Sequence, residues 1–331
     1  MNNKFSLKVG KGGAIALIIL AGLLWGTSGI FVTYLSEYGF TSIQLTATRV
    51  GVSTIILLIY SLIANRRSFK IRVRHIPLFA MLGVSLFFSC FLYYTSMVKT
   101  SVSTAVTLLN MHPVFVTAVS RFVFKEKLTL VKIGAVLSMV VGGCLVAGVV
   151  GGLKFDLVGI ILGILSGISY ATYILLCKYY NSKNIPSSSA NLYSFLFMAI
   201  IAVSLCDPVS YGKIAIANAF PAILILISLA ICTFIVPFVL NGIVIRTLDA
   251  GTVSSLSVME PLSATVYSVI LFSEQIGVFQ LIGIILILGA AVLLGLNETK
   301  SDTARAEEVV KDTAEEKENN AGKKELACTK S

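Results

Sequence analysis

Met111-His112-Pro113-Val114 and Met259-Glu260-Pro261-Leu262 are two copies of one pattern within a chain of 331 residues. Pro113 and Pro261 stand 148 positions apart, and so do Glu126 in Lys125-Glu126-Lys127 and Glu274 in Ser273-Glu274-Gln275. After each copy a short acidic loop leads into a glycine-spaced apolar helix. The first carries Gly134, Gly142 and Gly143, the second Gly283, Gly289 and Gly295. The chain is a duplication of a unit about half its length.

The solvent around that duplication is lipid. Hydrophobic residues make up 56% of the chain and charged residues 13%, too few to wet the outside of a soluble fold. Apolar runs long enough to cross a ~30 Å hydrocarbon core recur along it. Their spacing predicts spans near 12–35, 42–64, 76–97, 102–124, 130–150, 156–179, 187–206, 220–243, 251–272 and 278–296. The first follows Lys4, Lys8 and Lys11 but is too long for a signal-peptide core, and reads as a membrane helix. An even number of spans puts both ends on one side. Arg66, Arg67, Lys70, Arg72 and Arg74, with Lys125, Lys127, Lys178, Lys183 and Arg246, fall on that side, against Lys99, Lys154 and Lys213 opposite. The positive-inside rule therefore predicts cytoplasmic termini in a multi-pass inner (cytoplasmic) cell-membrane protein.

The expected organisation is a cytoplasmic N-terminus (1–11), five helices (12–150), five more (151–296) and a polar tail (297–331). That tail mixes Lys with Glu and is too polar to build a core, so disorder is expected there. Five is odd, so the second half inserts upside down. The predicted fold class is an all-α membrane protein of about ten transmembrane helices in two inverted five-helix repeats. Rocking one such repeat against the other alternates access to a site between them, which favours transport.

Other classes lose ground. The net charge of +10 lies mostly in short loops, where topology explains it, so no nucleic-acid partner is expected. The six cysteines form no C-x-x-C pair and have no histidine cluster beside them, so neither a metal nor a disulfide frame is expected. The chain has no phosphate-binding P-loop, H-E-x-x-H or G-x-S-x-G motif, which argues against an ATP-driven pump, a cofactor and an intramembrane enzyme.

Trp25-Gly26-Thr27-Ser28 in the first helix, Arg49 in the second and the paired Pro-then-Glu helices resemble the drug/metabolite transporter superfamily, and within it the EamA family. The resemblance covers about residues 12–296. It implies ten helices in two repeats, a central cavity lined by both, and secondary transport, often export, of amino acids, other metabolites or toxic compounds. The small-molecule substrate and the lipid bilayer are then the expected partners. An uncoupled facilitator, or a multidrug or toxic-compound exporter of the same fold, stays open as the alternative.

An ionisable side chain inside a bilayer costs ~2.5–3.5 kcal/mol on insertion scales and so asks for a reason. Arg49, His112 and Glu260 sit inside predicted spans, the last two at corresponding positions of the repeats. Either of that pair could carry a proton as access alternates, hold a substrate ammonium group, or be a packing residue hydrogen-bonded to neighbouring helices. Arg49 could bind a substrate carboxylate, snorkel to the interface, or pair with a structural acid. Pro113, Pro237 and Pro261 each remove a backbone hydrogen bond, so they are candidate hinges or bends, and Asn241 lies one turn after Pro237. Trp25, Tyr93, Tyr94, Tyr170, Tyr173 and Tyr267, with Asn110, Thr107 and Thr27, are candidate pocket residues or simply packing. Glu126 and Glu274, at opposite faces, suit gating or capping. The glycine series suits close helix packing.

Overall fold

The computed structural model describes residues 10–64, 66–69, 71–123, 129–146, 156–183, 185–217, 219–244, 247–248, 252–253, 256 and 258–296. The expected tail at 297–331, most of the expected N-terminal segment and Glu126 lie outside the described residues. Among the described residues there are helices and no strands. Among the described residues, seven helices are long and apolar enough to cross a membrane: Lys11–Glu37, Ser42–Ile63, Val73–Lys99, Val102–Val123, Leu157–Tyr180, Ser188–Leu205 and Val278–Leu296. Three shorter apolar helices, Leu130–Val146, Pro221–Ile235 and Met259–Phe272, stand where the fifth, eighth and ninth spans are predicted. The outer faces of these helices carry Ile59, Leu62, Ile63, Leu137, Val141, Ile285 and Leu293, all exposed. Such a surface is untenable in water and ordinary in lipid.

The packing between halves is reciprocal. The first span lies on the ninth, as the sixth lies on the fourth. The third lies on the sixth, as the eighth lies on the first. The second packs on the seventh and the fourth on the ninth, each pair mapping onto itself. The fifth and tenth meet at their glycines, where a Cβ on Gly142 would come within 2.7 Å of the Gly283 carbonyl oxygen. Each of these contacts has its mate when the halves are exchanged, as a pseudo-two-fold axis requires. Gly134 and Gly289 stand away from any neighbour, so helix packing does not account for them.

Several spans are broken rather than continuous, and the breaks lie inside the bundle. The first splits at Thr27 into Lys11–Gly26 and Ser28–Glu37. The fourth splits at Asn110 and Met111, ahead of His112–Val123. The ninth span is helical at Thr252, Val253 and Leu256, in line with the predicted start near 251, turns at Val258 and continues as Met259–Phe272. Asn110 and Val258 are again 148 apart, so this break belongs to the repeat. The eighth span passes through a π-helical turn, Ile231–Ile235, just before Pro237. A short helix that the hydropathy pattern does not single out, Pro208–Ala217, joins the seventh and eighth spans. It is tied to the second span, where Thr48 Oγ1 and Tyr211 Oη are 2.9 Å apart.

Candidate functional site

The breaks surround a cavity of about 530 Å³, a size suited to a small molecule. Among the described residues, nine of the ten spans line it, all but the fifth. Trp25, Arg49, Tyr93, Asn110, His112, Pro113, Tyr170, Tyr173 and Glu260 all border it, with Cys90 and Phe234. The wall thus combines charged groups from both halves with aromatic rings.

Arg49 sits deepest in a web of side-chain contacts. Its guanidinium donates to Tyr94 Oη at 2.8 Å, to Cys90 Sγ at 3.6 Å and to the Thr233 carbonyl oxygen at 3.0 Å. It also lies 5.8 Å from the Tyr94 ring centroid and 5.9 Å from that of Phe234. The Thr233 contact has a backbone cause. In a regular helix that carbonyl would accept from the N–H of residue 237, and Pro237 has none. The π turn and the proline leave an oxygen that must be satisfied from within the protein, and Arg49 of the second span satisfies it.

His112 does the same work in the fourth span. The carbonyl of Leu109 would accept from residue 113, and Pro113 offers no proton. His112 Nδ1 lies 3.3 Å from that oxygen, and its ring stands edge-on to Tyr170 with centroids 4.9 Å apart. Tyr170 in turn stacks on Tyr173 at 6.0 Å. Asn110 caps the segment before it by donating from Nδ2 to the Val106 carbonyl at 2.8 Å.

Glu260 is different. Its carboxylate borders the cavity and has no hydrogen-bond or ion-pair partner among the described residues. The first span crosses close beside it, since a Cβ on Gly22 would sit 3.2 Å from the Glu260 amide nitrogen. Arg49 borders the same cavity, and its hydrogen bonds go to Tyr94, Cys90 and the Thr233 carbonyl rather than to Glu260.

The remaining candidates are dispersed. Tyr94 is fully buried behind Arg49 and is outside the cavity wall. Tyr267 is half-buried on the ninth span and does not line the cavity, and neither does the buried Pro261. Thr107 is buried and donates to the Ser103 carbonyl, while Thr27 donates to that of Leu24. Pro237 is buried beside the π turn, and the side chain of Asn241 lies outside the described residues. The Thr233 carbonyl and Cys90 escaped the sequence reading. Thr233 had one signal, its place four residues before a proline.

The cavity's wall on the fourth, sixth and tenth spans is drawn from their middles and from the halves nearer the chain termini. A polar knot fastens the opposite face. Ser103 donates to Glu274 Oε1. Gln280 Nε2 donates to Ser103 Oγ at 3.3 Å and to Thr104 Oγ1 at 3.1 Å. The loop between the ninth and tenth spans is thereby held to the start of the fourth.

The model of the EamA-like transporter family matches residues 12–148 and, a second time, residues 157–296. The chain is 23% identical over 288 residues to "Uncharacterized transporter YxxF" of Bacillus subtilis, covering 86% of this chain and 89% of that protein. It is 24% identical over 236 residues to an "Uncharacterized transporter" of Clostridium kluyveri, covering 69% and 74%. A solved structure titled only "Crystal structure of protein" superposes with a TM-score of 0.58 at 16% identity, covering 86% of this chain and 97% of that one. At that identity the likeness concerns the fold alone.

Proposed function

The chain belongs to the EamA-like transporter family, and from that premise we propose that it is a secondary transporter moving amino acids or related small metabolites outward by alternating access. The observation that carries the reading is the cavity between the repeats, bordered by Arg49 at one point and by the unpartnered Glu260 carboxylate at another. A zwitterion needs one group of each sign in a space of its own size. Arg49 keeps donors beyond its three protein contacts and can take a carboxylate. Glu260 can take an ammonium group, or a proton when the cavity is empty. Trp25, Tyr170 and Tyr173 supply apolar surface with polar edges for the rest of the molecule.

On this reading the structure is one of two access states. The cavity reaches toward the side of the termini, which we place in the cytoplasm of the cell, and the Ser103–Glu274–Gln280 knot closes the other face. Opening that knot while the terminal side closes would complete a cycle. The two repeats at 12–150 and 151–296 would be the rocking bodies, with Pro113, Pro237 and Pro261 as bends that a cycle can flex.

The test is counterflow of radiolabelled amino acids in proteoliposomes. Wild type is expected to exchange internal for external substrate. Glu260→Gln should lower that exchange by roughly a hundredfold, as removing a buried charge's partner does. Unchanged exchange by a well-folded Glu260→Gln protein would remove the carboxylate from the mechanism. Absence of exchange by wild type would remove amino acids as the substrate.

A further inference from the structure

A second groove, of about 1060 Å³, lies apart from the central cavity, where the third and seventh spans begin and the sixth ends. Arg72, Arg74, His75, Lys183, Pro186 and Ser189 border it, and among the described residues no aspartate or glutamate does. In the ten-span topology the loops that supply it fall on the side of the termini, and topology alone places cations in such loops. It does not explain the rest of the groove. Two long helices open onto it, Ile76–Lys99 and Ser187–Leu205. Neither start has a side-chain cap or an acidic residue in its first turn. The N–H groups at a helix start carry partial positive charge and favour an anion. Here they meet Arg72, Arg74 and Lys183 instead. Ser189, 1% exposed, has a hydroxyl with no hydrogen-bond partner among the described residues, where native interiors satisfy nearly all such groups.

We propose that this groove binds the phosphate of an anionic phospholipid, seated at the membrane face on the side of the termini. The proposal stands apart from the reading of the central cavity as a substrate site.

Packing holds the groove in a shape that presents its cations. Arg74 Nε donates to His75 Nε2 at 3.4 Å, which leaves its two terminal amino groups for a ligand. The His75 ring stands edge-on to Phe79 with centroids 6.2 Å apart, and Phe79 stacks on Tyr193 at 5.7 Å. Tyr193 Oη donates to the Phe69 carbonyl at 3.3 Å, which ties the seventh span to the loop carrying Arg72 and Arg74. Lys183 Nζ lies over the Tyr179 ring, 5.7 Å from its centroid. The corresponding helix start in the first half is built differently. Where the second span begins, the Thr41 N–H is answered by Gln44 Oε1 at 2.9 Å. Its counterpart, the seventh span, has no such cap and faces cations. A phosphate offers acceptors to the guanidinium forks and to the open helix starts at once. Beside the cations the surface turns apolar: Met81 and Tyr179 border the groove and are exposed, as is the neighbouring Ile76. Acyl chains can lie there while the headgroup stays with the cations, which favours a lipid over a free phosphate. A lipid so seated joins the third span of one half to the sixth and seventh of the other.

Delipidated full-length protein in detergent would be titrated with dioctanoylphosphatidylglycerol, with dioctanoylphosphatidylcholine at equal mole fraction, and with sodium phosphate at constant ionic strength. The readout is the rise in unfolding temperature over each protein's own lipid-free value, with bound lipids counted by native mass spectrometry. A saturable rise with the anionic lipid is expected, and clearly weaker binding of the zwitterionic lipid and of free phosphate. Arg72→Gln/Arg74→Gln should weaken binding of the anionic lipid about tenfold, and Lys183→Gln several-fold, as losing charged hydrogen bonds to phosphate does. Lys11→Gln/Arg66→Gln removes the same charge from the same face outside the groove and should keep the wild-type affinity. No saturable response to the anionic lipid, or equal responses to the two lipids, overturns the proposal, since the headgroup is then not read. Equal losses in the two double variants overturn it in favour of diffuse surface charge. Phosphate binding as tight as the lipid's overturns the lipid and assigns the groove to a soluble anion. Should the Arg72/Arg74 variant not fold, Lys183→Gln against Lys11→Gln carries the same comparison.

Discussion

His112 and Glu260 occupy the same point of the two repeats, each at a helix break and each directly before a proline, yet the structure employs them differently. His112 can donate a proton, so it turns back onto the Leu109 carbonyl that Pro113 leaves without a partner. It is further held by the edge-on contact with Tyr170. A carboxylate can only accept, so Glu260 cannot cap a carbonyl and is left facing the cavity. The duplication supplied one geometry twice, and on the proposed function the side-chain chemistry divides it into a structural half and a working half. Arg49 falls on the structural side in part, since it caps the carbonyl orphaned by Pro237, but it keeps donors for a ligand.

The largest effect should come from making the two halves alike. Glu260→His is expected to abolish exchange, by roughly a hundredfold or more, because the cavity loses its negative charge. His112→Glu should instead damage folding, since it leaves the Leu109 carbonyl uncapped and adds a second buried acid. Unfolding temperature and counterflow, measured on both, separate these outcomes. If Glu260→His transports and His112→Glu is stable, the division of labour between the halves is wrong.

Arg49→Lys comes next. A lysine carries the charge but cannot bridge Tyr94 and the Thr233 carbonyl with one planar group. Exchange should fall about tenfold, with lowered thermal stability, because the π turn of the eighth span loses its tether. Wild-type stability with lowered exchange would make Arg49 a ligand group alone.

Much of this was legible from the chain. Ten spans, the duplication and its inversion follow from hydropathy, the 148-residue offset and an odd number of helices per half. His112, Glu260, Trp25, Asn110 and Tyr173 could be picked out because a polar or aromatic group in lipid needs a reason. The break at Thr27, the π turn at Ile231–Ile235 and the helix Pro208–Ala217 were not legible, since each depends on what packs against it. The bond from Arg49 to Thr233 joins residues 184 apart in the chain, and no local pattern encodes it. Local rules still constrain such a case after the fact: a proline implies an orphaned carbonyl four residues earlier, and something must answer it.

That rule yields the smallest and most discriminating prediction. His112→Ala removes the group that answers Leu109, and an unsatisfied buried acceptor costs about 1–3 kcal/mol. Exchange should fall only a few-fold, because the ring is no ligand on this account. Replacing Pro113 by alanine restores the missing N–H, so the helix can satisfy Leu109 by itself. The double variant His112→Ala/Pro113→Ala should therefore recover most of the stability that His112→Ala loses, with a coupling of about 1 kcal/mol or more in a double-mutant cycle. Additive losses would mean that His112 is not a carbonyl cap. If the double variant is stable but transports no better than a Glu260 variant, the imidazole belongs with Glu260 in the working half after all.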